Sequence, residues 1–387
     1  MRNASRVVLE AVASPPNPFR YGSPVTGANF TGRTVEHQAL VSRMADGLNV
    51  SLVSPRRYGK TSLLLRAEGT ITRAGASVVH VNVLRCPDLG HFAAALATGL
   101  AQTHGRRLRR GVAAASDFRR RFRVTPAVEL GDDGKARFSF VPSLAAKDAT
   151  SVLEDVYRLL AEGDRSGVLV LDEFDAIVDL NPTLPNAFKG LADSYPQVSL
   201  VVAGSRRHMM ERLVHVHGAP LYGMTQPISL GPIDPDAMAR YLVRRSAAGD
   251  KKMPPAIAGT IIGRIGPVPN DIQHLAYETF AVASGPIITD ADIDTGLDQA
   301  ISLAEATYSV TWHERPVVQR RVLSALAAQP TGEPFGGAFA RRTGLATSSV
   351  QRAIEALVND EWVADDGGLW HLTDPFLARW VQAEDPR

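Results

Sequence analysis

One stretch constrains the fold more than any other: Val50-Ser-Leu-Val-Ser-Pro-Arg-Arg-Tyr-Gly-Lys-Thr-Ser-Leu-Leu-Leu65. An apolar, strand-like run (Val50 to Val53) enters a short loop ending in Gly59-Lys60-Thr61, and a helix-compatible segment starts at Ser62. This is the strand, loop and helix context of a phosphate loop. In such a loop, backbone N–H groups and the helix N-terminus wrap the phosphates. Lys60 adds a point charge and Thr61 offers a hydroxyl to Mg²⁺. Ser54 stands where the GxxxxGK[ST] pattern has its first glycine. The plainer alternative is a surface loop between a core strand and a helix.

A second motif favours the nucleotide reading. Gly167-Val-Leu-Val-Leu-Asp172-Glu173-Phe174-Asp175 is a continuous aliphatic run ending in carboxylates. Strands buried on both faces of a parallel sheet read this way, and their C-terminal ends face the ligand crevice. Asp172 is placed to hold Mg²⁺, directly or through water, and Glu173 to polarise an attacking water. Further on, Gln197 to Gly204 reads as another buried strand, followed by Ser205-Arg206-Arg207. Ser205 then lies at the same sheet edge as Asp172, where it senses the γ-phosphate. Arg206 or Arg207 stabilises developing charge there, unless both simply face solvent or nearby acids. Pro227 to Leu230 reads as the last core strand.

With 387 residues the chain exceeds one ordinary core, so two or three domains are expected. Its net charge of +2 carries no general polyanion signal. Cys86 is the only cysteine, which excludes an internal disulfide and a cysteine-built metal site. No run reaches the ~18 apolar residues needed to span a bilayer. Met1 to Asn17 lacks the compact apolar core of a secretion signal, so a cytoplasmic protein with no membrane partner is expected.

Between His104 and Arg123 the chain holds eight arginines and a single acid, Asp117. An alternating stretch, Val124 to Val141, follows, with Gly131-Asp-Asp-Gly134 as a hairpin turn. This reads as an insertion, about 104–147, into the core. Its Arg106–Arg123 run is either a solvated face or a site for nucleic acid or an acidic partner, the solvated face being favoured.

At this point the chain resembles a known family. Asn17-Pro-Phe19, Pro24-Val25 and Phe30-Thr31-Gly32-Arg33-Thr34-Val35-Glu36 resemble the opening signature of STAND-type AAA+ ATPases of the archaeal-ATPase kind. Pro55-Arg56-Arg57-Tyr58-Gly59-Lys60-Thr61-Ser62 is similar to that family's phosphate loop, Asp172-Glu173-Phe174-Asp175 to its Walker B element, and Gly204-Ser205 to its sensor 1. Gly266-Pro-Val-Pro269 resembles the glycine-x-proline motif of its helical lid. The resemblance implies ATP and Mg²⁺ as cofactors, with Ser54 to Ser62 around the phosphates and Lys60, Glu173 and Arg206 as catalytic residues. It implies Thr61 and Asp172 on the metal and Ser205 at the γ-phosphate. Gly32 and Arg33 would border the adenine and ribose, and Pro269 would approach the base from the lid.

The implied architecture is α/β: a P-loop parallel sheet flanked by helices over 1–231, an all-α lid over 232–312 and a winged helix-turn-helix over 313–387. Helical periodicity from Asp234 to Ala304, broken at Pro254-Pro255 and Gly266–Pro269, fits the lid. Pro316 to Ala328, then Phe339 to Leu357 with a glycine turn and Thr347 as N-cap, then a hairpin around Asp365-Asp-Gly-Gly368, fit the winged helix. Residues 316–387 contain seven arginines and nine acids, and the wing turn is acidic. DNA affinity rests on neutralised phosphates, so a protein-contact role is favoured for this domain.

Two functions compete. One is an ATP-driven switch that couples nucleotide state to lid and winged-helix movement, to homo-oligomerisation or to an unidentified protein partner. The other is a DNA-handling ATPase laid out like archaeal origin-recognition initiators. A third, a nucleotide-binding pseudo-ATPase, is opposed by the intact Lys60, Thr61, Asp172 and Glu173.

Overall fold

The computed structural model describes residues 16–108, 124–130, 136–142, 149–162 and 166–384. Expected features in Arg109–Arg123 and at the Gly131–Gly134 turn lie outside them. The described chain forms two compact units, one spanning Arg33–Gly231 and the other combining the segment up to Gly32 with Pro232 onward. The segment up to Gly32, read from the sequence with the sheet domain, is thus grouped with the chain after Pro232.

In the first unit, α1 (Thr34–Ala45) leads to β1 (Val50–Val53), and α2 (Lys60–Arg73) follows the phosphate loop. Next come β2 (Ser77–Asn82), α3 (Leu89–Leu108) and an antiparallel hairpin of β3 (Val124–Leu130) and β4 (Ala136–Pro142), in register from Val124 opposite Pro142 to Leu130 opposite Ala136. Then α4 (Ala149–Ala161), β5 (Gly167–Asp172), α5 (Leu184–Ser194), β6 (Val198–Gly204) and β7 (Gln226–Ser229) complete the unit. The main sheet is parallel, in the order β2-β5-β6-β1-β7.

Sequence explains this order of burial. Every residue of β5 and β6 is buried, as expected for central strands covered on both faces. Edge strand β7 buries only Ile228 and tolerates Pro227. Tyr157, Leu160, Leu169, Leu171, Phe174 and Phe188 fill the core beside the sheet with no exposed surface. Each such large apolar side chain contributes about 1.5–3 kcal/mol relative to remaining in water.

The second unit has two cores. The lid consists of α6 (Pro235–Ala247), α7 (Pro255–Ile265), α8 (Pro269–Val282) and α9 (Asp290–Glu314). Prolines open α6, α7 and α8 in their first turn, where a missing N–H costs nothing. Phe19 joins this core edge-on to Phe280, with centroids 5.9 Å apart. Asn17 Nδ2 donates to the Tyr277 carbonyl (2.9 Å), and Asn270 Oδ1 accepts from Gly22 N–H (2.9 Å). Tyr21 stacks on His274 at 3.9 Å.

A separate core of Trp312, Leu326, Phe339, Ile354, Leu357 and Trp380 belongs to the winged helix. It comprises α10 (Val317–Ala328), α11 (Gly337–Thr343), α12 (Thr347–Asn359), β8 (Val363–Asp366), β9 (Leu369–Leu372) and α13 (Pro375–Glu384). Ala346, not Thr347, is the N-cap of α12, and no side chain caps that end. Thr347 is the first helical residue, because Ala346 already has the extended backbone a cap position requires. Among the described residues, no helix is long and apolar enough to cross a membrane.

Candidate nucleotide-binding site

Parallel pairing brings the candidate residues to one sheet edge. Val53 is in register with Gly204, and Asn82 with Asp172. The chain therefore leaves β1, β5 and β6 on the same side, at Ser54, Glu173 and Ser205. Open α/β sheets bind ligands at this C-terminal edge.

The phosphate loop carries two left-handed residues, Arg57 (φ 68°) and Gly59 (φ 90°). Gly59 turns the chain into α2 as its N-cap with no side-chain cap bond, and Leu63 N–H closes the first helical turn on the Gly59 carbonyl (3.0 Å). A helix start without a side-chain cap leaves donors for an anion. Lys60 is buried, and its Nζ donates to the carbonyls of Ser54 (2.9 Å) and Pro55 (3.1 Å). The lysine is thereby folded across the mouth of its own loop. Ser54, at the unusual position, is buried and donates from Oγ to the Pro55 carbonyl (2.9 Å). Pro55, Arg56 and Arg57 are exposed, whereas Tyr58 and Ser62 are buried.

Thr61 and Asp172, the two residues expected at a metal, meet directly: Thr61 Oγ1 donates to Asp172 Oδ2 at 2.6 Å, and Asp172 is fully buried. The other carboxylate oxygen accepts from Glu173 N–H (3.0 Å). Glu173 itself is left-handed (φ 52°, ψ 44°). Arg33, Arg57 and Glu173 are three of the five non-glycine residues with positive φ among the described residues. Such strain clusters where the surroundings over-determine a functional geometry.

Ser205 is brought to Glu173, donating from Oγ to Oε2 at 2.9 Å. Burial raises the Glu173 carboxyl above its ordinary pKa. Lys60 and the Ser205 hydrogen bond oppose that shift, while the neighbouring Asp172 and Asp175 reinforce it. Asp175 is a participant that the motif alone did not assign. Its Oδ1 accepts from Ser205 N–H (3.3 Å), and its Oδ2 accepts from Arg206 Nε (2.6 Å). Arg206 also reaches the Asp175 carbonyl (3.0 Å) and Asp179 (3.3 Å).

The Arg206 guanidinium is held by Asp175 and Asp179, the pairing with nearby acids that its sequence position also allowed. Spacing gives the one available signal, since Asp175 lies three residues beyond Asp172, one turn on in a short helical segment (Phe174–Ala176).

Arg33, expected beside adenine and ribose, stands at the N-cap of α1. Its side chain is buried against Glu36, the Tyr58 carbonyl and the Gly231 carbonyl. Gly32 and Pro269 belong to the other unit, where Gly32 is left-handed (φ 65°) and Pro269 opens α8.

The fold is an α/β core of the P-loop, AAA+ type with a parallel five-stranded sheet, followed by an all-α segment and a winged helix. A family model described as "Probable winged helix domain" matches residues 306–383. Among solved structures, the Walker-type ATPase of Pyrococcus abyssi is similar with a TM-score of 0.62 at 16% identity, over 94% of this chain and 99% of that one. The Aeropyrum pernix ORC2 protein, in its ADPNP–ADP complexes, is similar with a TM-score of 0.56 at 12% identity, over 96% of this chain and 99% of that one. At these identities the likeness defines the fold. No curated protein matches the chain by sequence.

Proposed function

We propose that this protein is an ATP-binding and ATP-hydrolysing switch of the STAND-type AAA+ kind. In this reading, nucleotide state sets the position of the lid and winged helix, and through them oligomerisation or access of a protein partner. The observation that carries the reading is the 2.6 Å meeting of Thr61 and Asp172 beside a buried Lys60. A hydroxyl and a buried carboxylate make an oxygen donor set suited to Mg²⁺. Asn82, paired with Asp172 across the sheet, has a buried Oδ1 with no hydrogen-bond partner among the described residues, as suits a site that receives water or an ion.

When bound, Mg²⁺ and the triphosphate supply the leaving group and the neutralisation of its charge. The chain supplies the rest. Lys60 exchanges the Ser54 and Pro55 carbonyls for phosphate oxygens, a charge-assisted and therefore stronger set of acceptors. Glu173 accepts the proton of the attacking water at Oε1, because Ser205 engages Oε2. Asp175, clamped by Arg206, fixes the Ser205 backbone and so the direction of that bond.

For the winged helix, protein contact is favoured over DNA. Among the side chains of the α12 face, Gln351 donates to Glu355 (3.1 Å) and Arg352 Nε to the Ser348 carbonyl (3.3 Å). In the wing, Asp366 pairs with His371 (2.9 Å) and Asp365 accepts from Gly368 N–H. These are internal partners on an acidic turn, a poor surface for phosphates. Size measurement and pull-down of wild type and Glu173→Gln, with and without ATP·Mg²⁺, test the switch. An ATP-dependent larger or partner-bound species, accumulated in the glutamine variant, is expected; its absence from both proteins would sink the reading.

A further inference from the structure

The chain passes between its two units twice, at Gly32–Arg33 and at Gly231–Pro232. Arg33 stands at the first crossing with a left-handed backbone (φ 61°, ψ 27°), directly after the left-handed Gly32. A non-glycine residue keeps that conformation only where its contacts demand it. The contacts are specific. Arg33 Nη1 donates to Glu36 Oε1 at 3.0 Å. Arg33 Nη2 donates to two carbonyls at once, that of Tyr58 in the phosphate loop (3.2 Å) and that of Gly231 at the second crossing (2.5 Å). Its Nε is buried with no hydrogen-bond partner among the described residues. Within the other unit, a Cβ added to Gly32 would lie 2.8 Å from Ile233 Cγ2, so the chain just before the first crossing packs on the chain just after the second.

We propose that Arg33 is a positioning residue that transmits the state of the phosphate loop to both crossings. The proposal rests on the nucleotide reading above. An Nη2 group has two hydrogens, one for each carbonyl, so the loop and the second crossing are joined through a single nitrogen. The guanidinium is buried and one of its donors already lacks an acceptor, and a buried cation loses further acceptors only at high cost. When the loop rearranges around phosphates, the Tyr58 carbonyl moves and the guanidinium follows it. The Gly231 carbonyl then moves or loses its donor. Lysine cannot substitute, because one ammonium lacks the planar fork that serves Glu36 and two carbonyls in fixed directions.

The test is amide hydrogen exchange across residues 30–34 and 228–233 of the full chain, without nucleotide and at saturating ATP·Mg²⁺. Wild type, Arg33→Lys and Arg33→Met are compared. Wild type is expected to change its exchange rate in both segments by about tenfold or more on ATP. Both variants should still saturate with ATP, at higher concentration if necessary, yet show less than about a third of that change. A change of wild-type size in either variant at saturation overturns the proposal. If Arg33→Met fails to fold, Arg33→Lys, which keeps the buried cation, decides the matter. Failure of wild type to bind ATP overturns the nucleotide reading itself, a separate result from saturable binding without an exchange response.

Discussion

Glu173→Gln removes one charge from the site while keeping an oxygen able to accept from Ser205, and its effects follow from the surroundings of that side chain. A general base contributes roughly 10²- to 10⁴-fold to the chemical step. At about 1.4 kcal/mol per tenfold, its loss raises the barrier by about 3–5.5 kcal/mol. Steady-state ATP hydrolysis should fall by at least ~100-fold while ATP binding persists. Stability should move the other way. Burial, reinforced by Asp172 and Asp175, raises the Glu173 pKa against the opposing effects of Lys60 and Ser205. For a carboxyl whose folded pKa is raised, stability is fully present below the unfolded pKa and is lost as pH rises through the folded value. At neutral pH the charged side chain is thus a liability that glutamine relieves. In thermal melts without nucleotide, the variant should unfold at higher temperature than wild type at pH 7, and the difference should vanish near pH ~4, where the wild-type carboxyl is protonated. Hydrolysis within about threefold of wild type, or a lower melting temperature at pH 7, would refute the assigned role and its electrostatic basis.

Other consequences follow from single contacts. His80 on β2 pairs with Glu68 on α2 at 2.7 Å; burial alone would lower the imidazole pKa, but Glu68 outweighs it and Asp172 adds to the rise. The stabilisation is therefore present below pH ~6.5 and lost as pH rises through the elevated value. Glu68→Gln should lower the denaturant midpoint more at pH 6 than at pH 9, and an equal loss at both would contradict the pairing. Phe19→Ala empties a fully buried site against Phe280 and should cost about 3–5 kcal/mol in chemical denaturation of the lid-containing unit. A cost below ~1 kcal/mol would mean that the N-terminal segment is not part of that core. In gel shifts at ~0.1 M salt, the full chain should not retain duplex DNA; micromolar retention there would restore the DNA reading.

The sheet was legible because its central strands carry an unmistakable composition. The apolar runs at 50–53, 167–172 and 198–204 call for burial on both faces, which a parallel sheet covered by helices provides. Thr61 and Asp172, 111 residues apart, were found from motif spacing because both motifs end their strands at the same sheet edge. Other features depend on long-range partners that no local pattern encodes. Asn17 finds the Tyr277 carbonyl 260 positions away, which attaches the N-terminal segment to the lid. A basic residue after a core strand has the same local appearance whether it meets a ligand or an acid, so the sequence leaves both open for Arg206, and its pairing with Asp175 and Asp179, on a different turn, is seen only in the structure. The same limit applies to Arg33, whose Gly231 partner is 198 residues on. At Thr347 the error was one residue, within the ordinary blur of a helix end.

The central claim, a phosphate site built on Lys60, Thr61 and Asp172, is tested most directly by calorimetric titration of ATP into wild type and Lys60→Ala, each with and without Mg²⁺. Loss of charge-assisted bonds worth about 1.5–3 kcal/mol predicts a Kd raised roughly 10- to 150-fold in Lys60→Ala. Wild-type affinity should also weaken when Mg²⁺ is withheld. Equal affinities for the two proteins, or no binding by the folded wild type, would contradict the account.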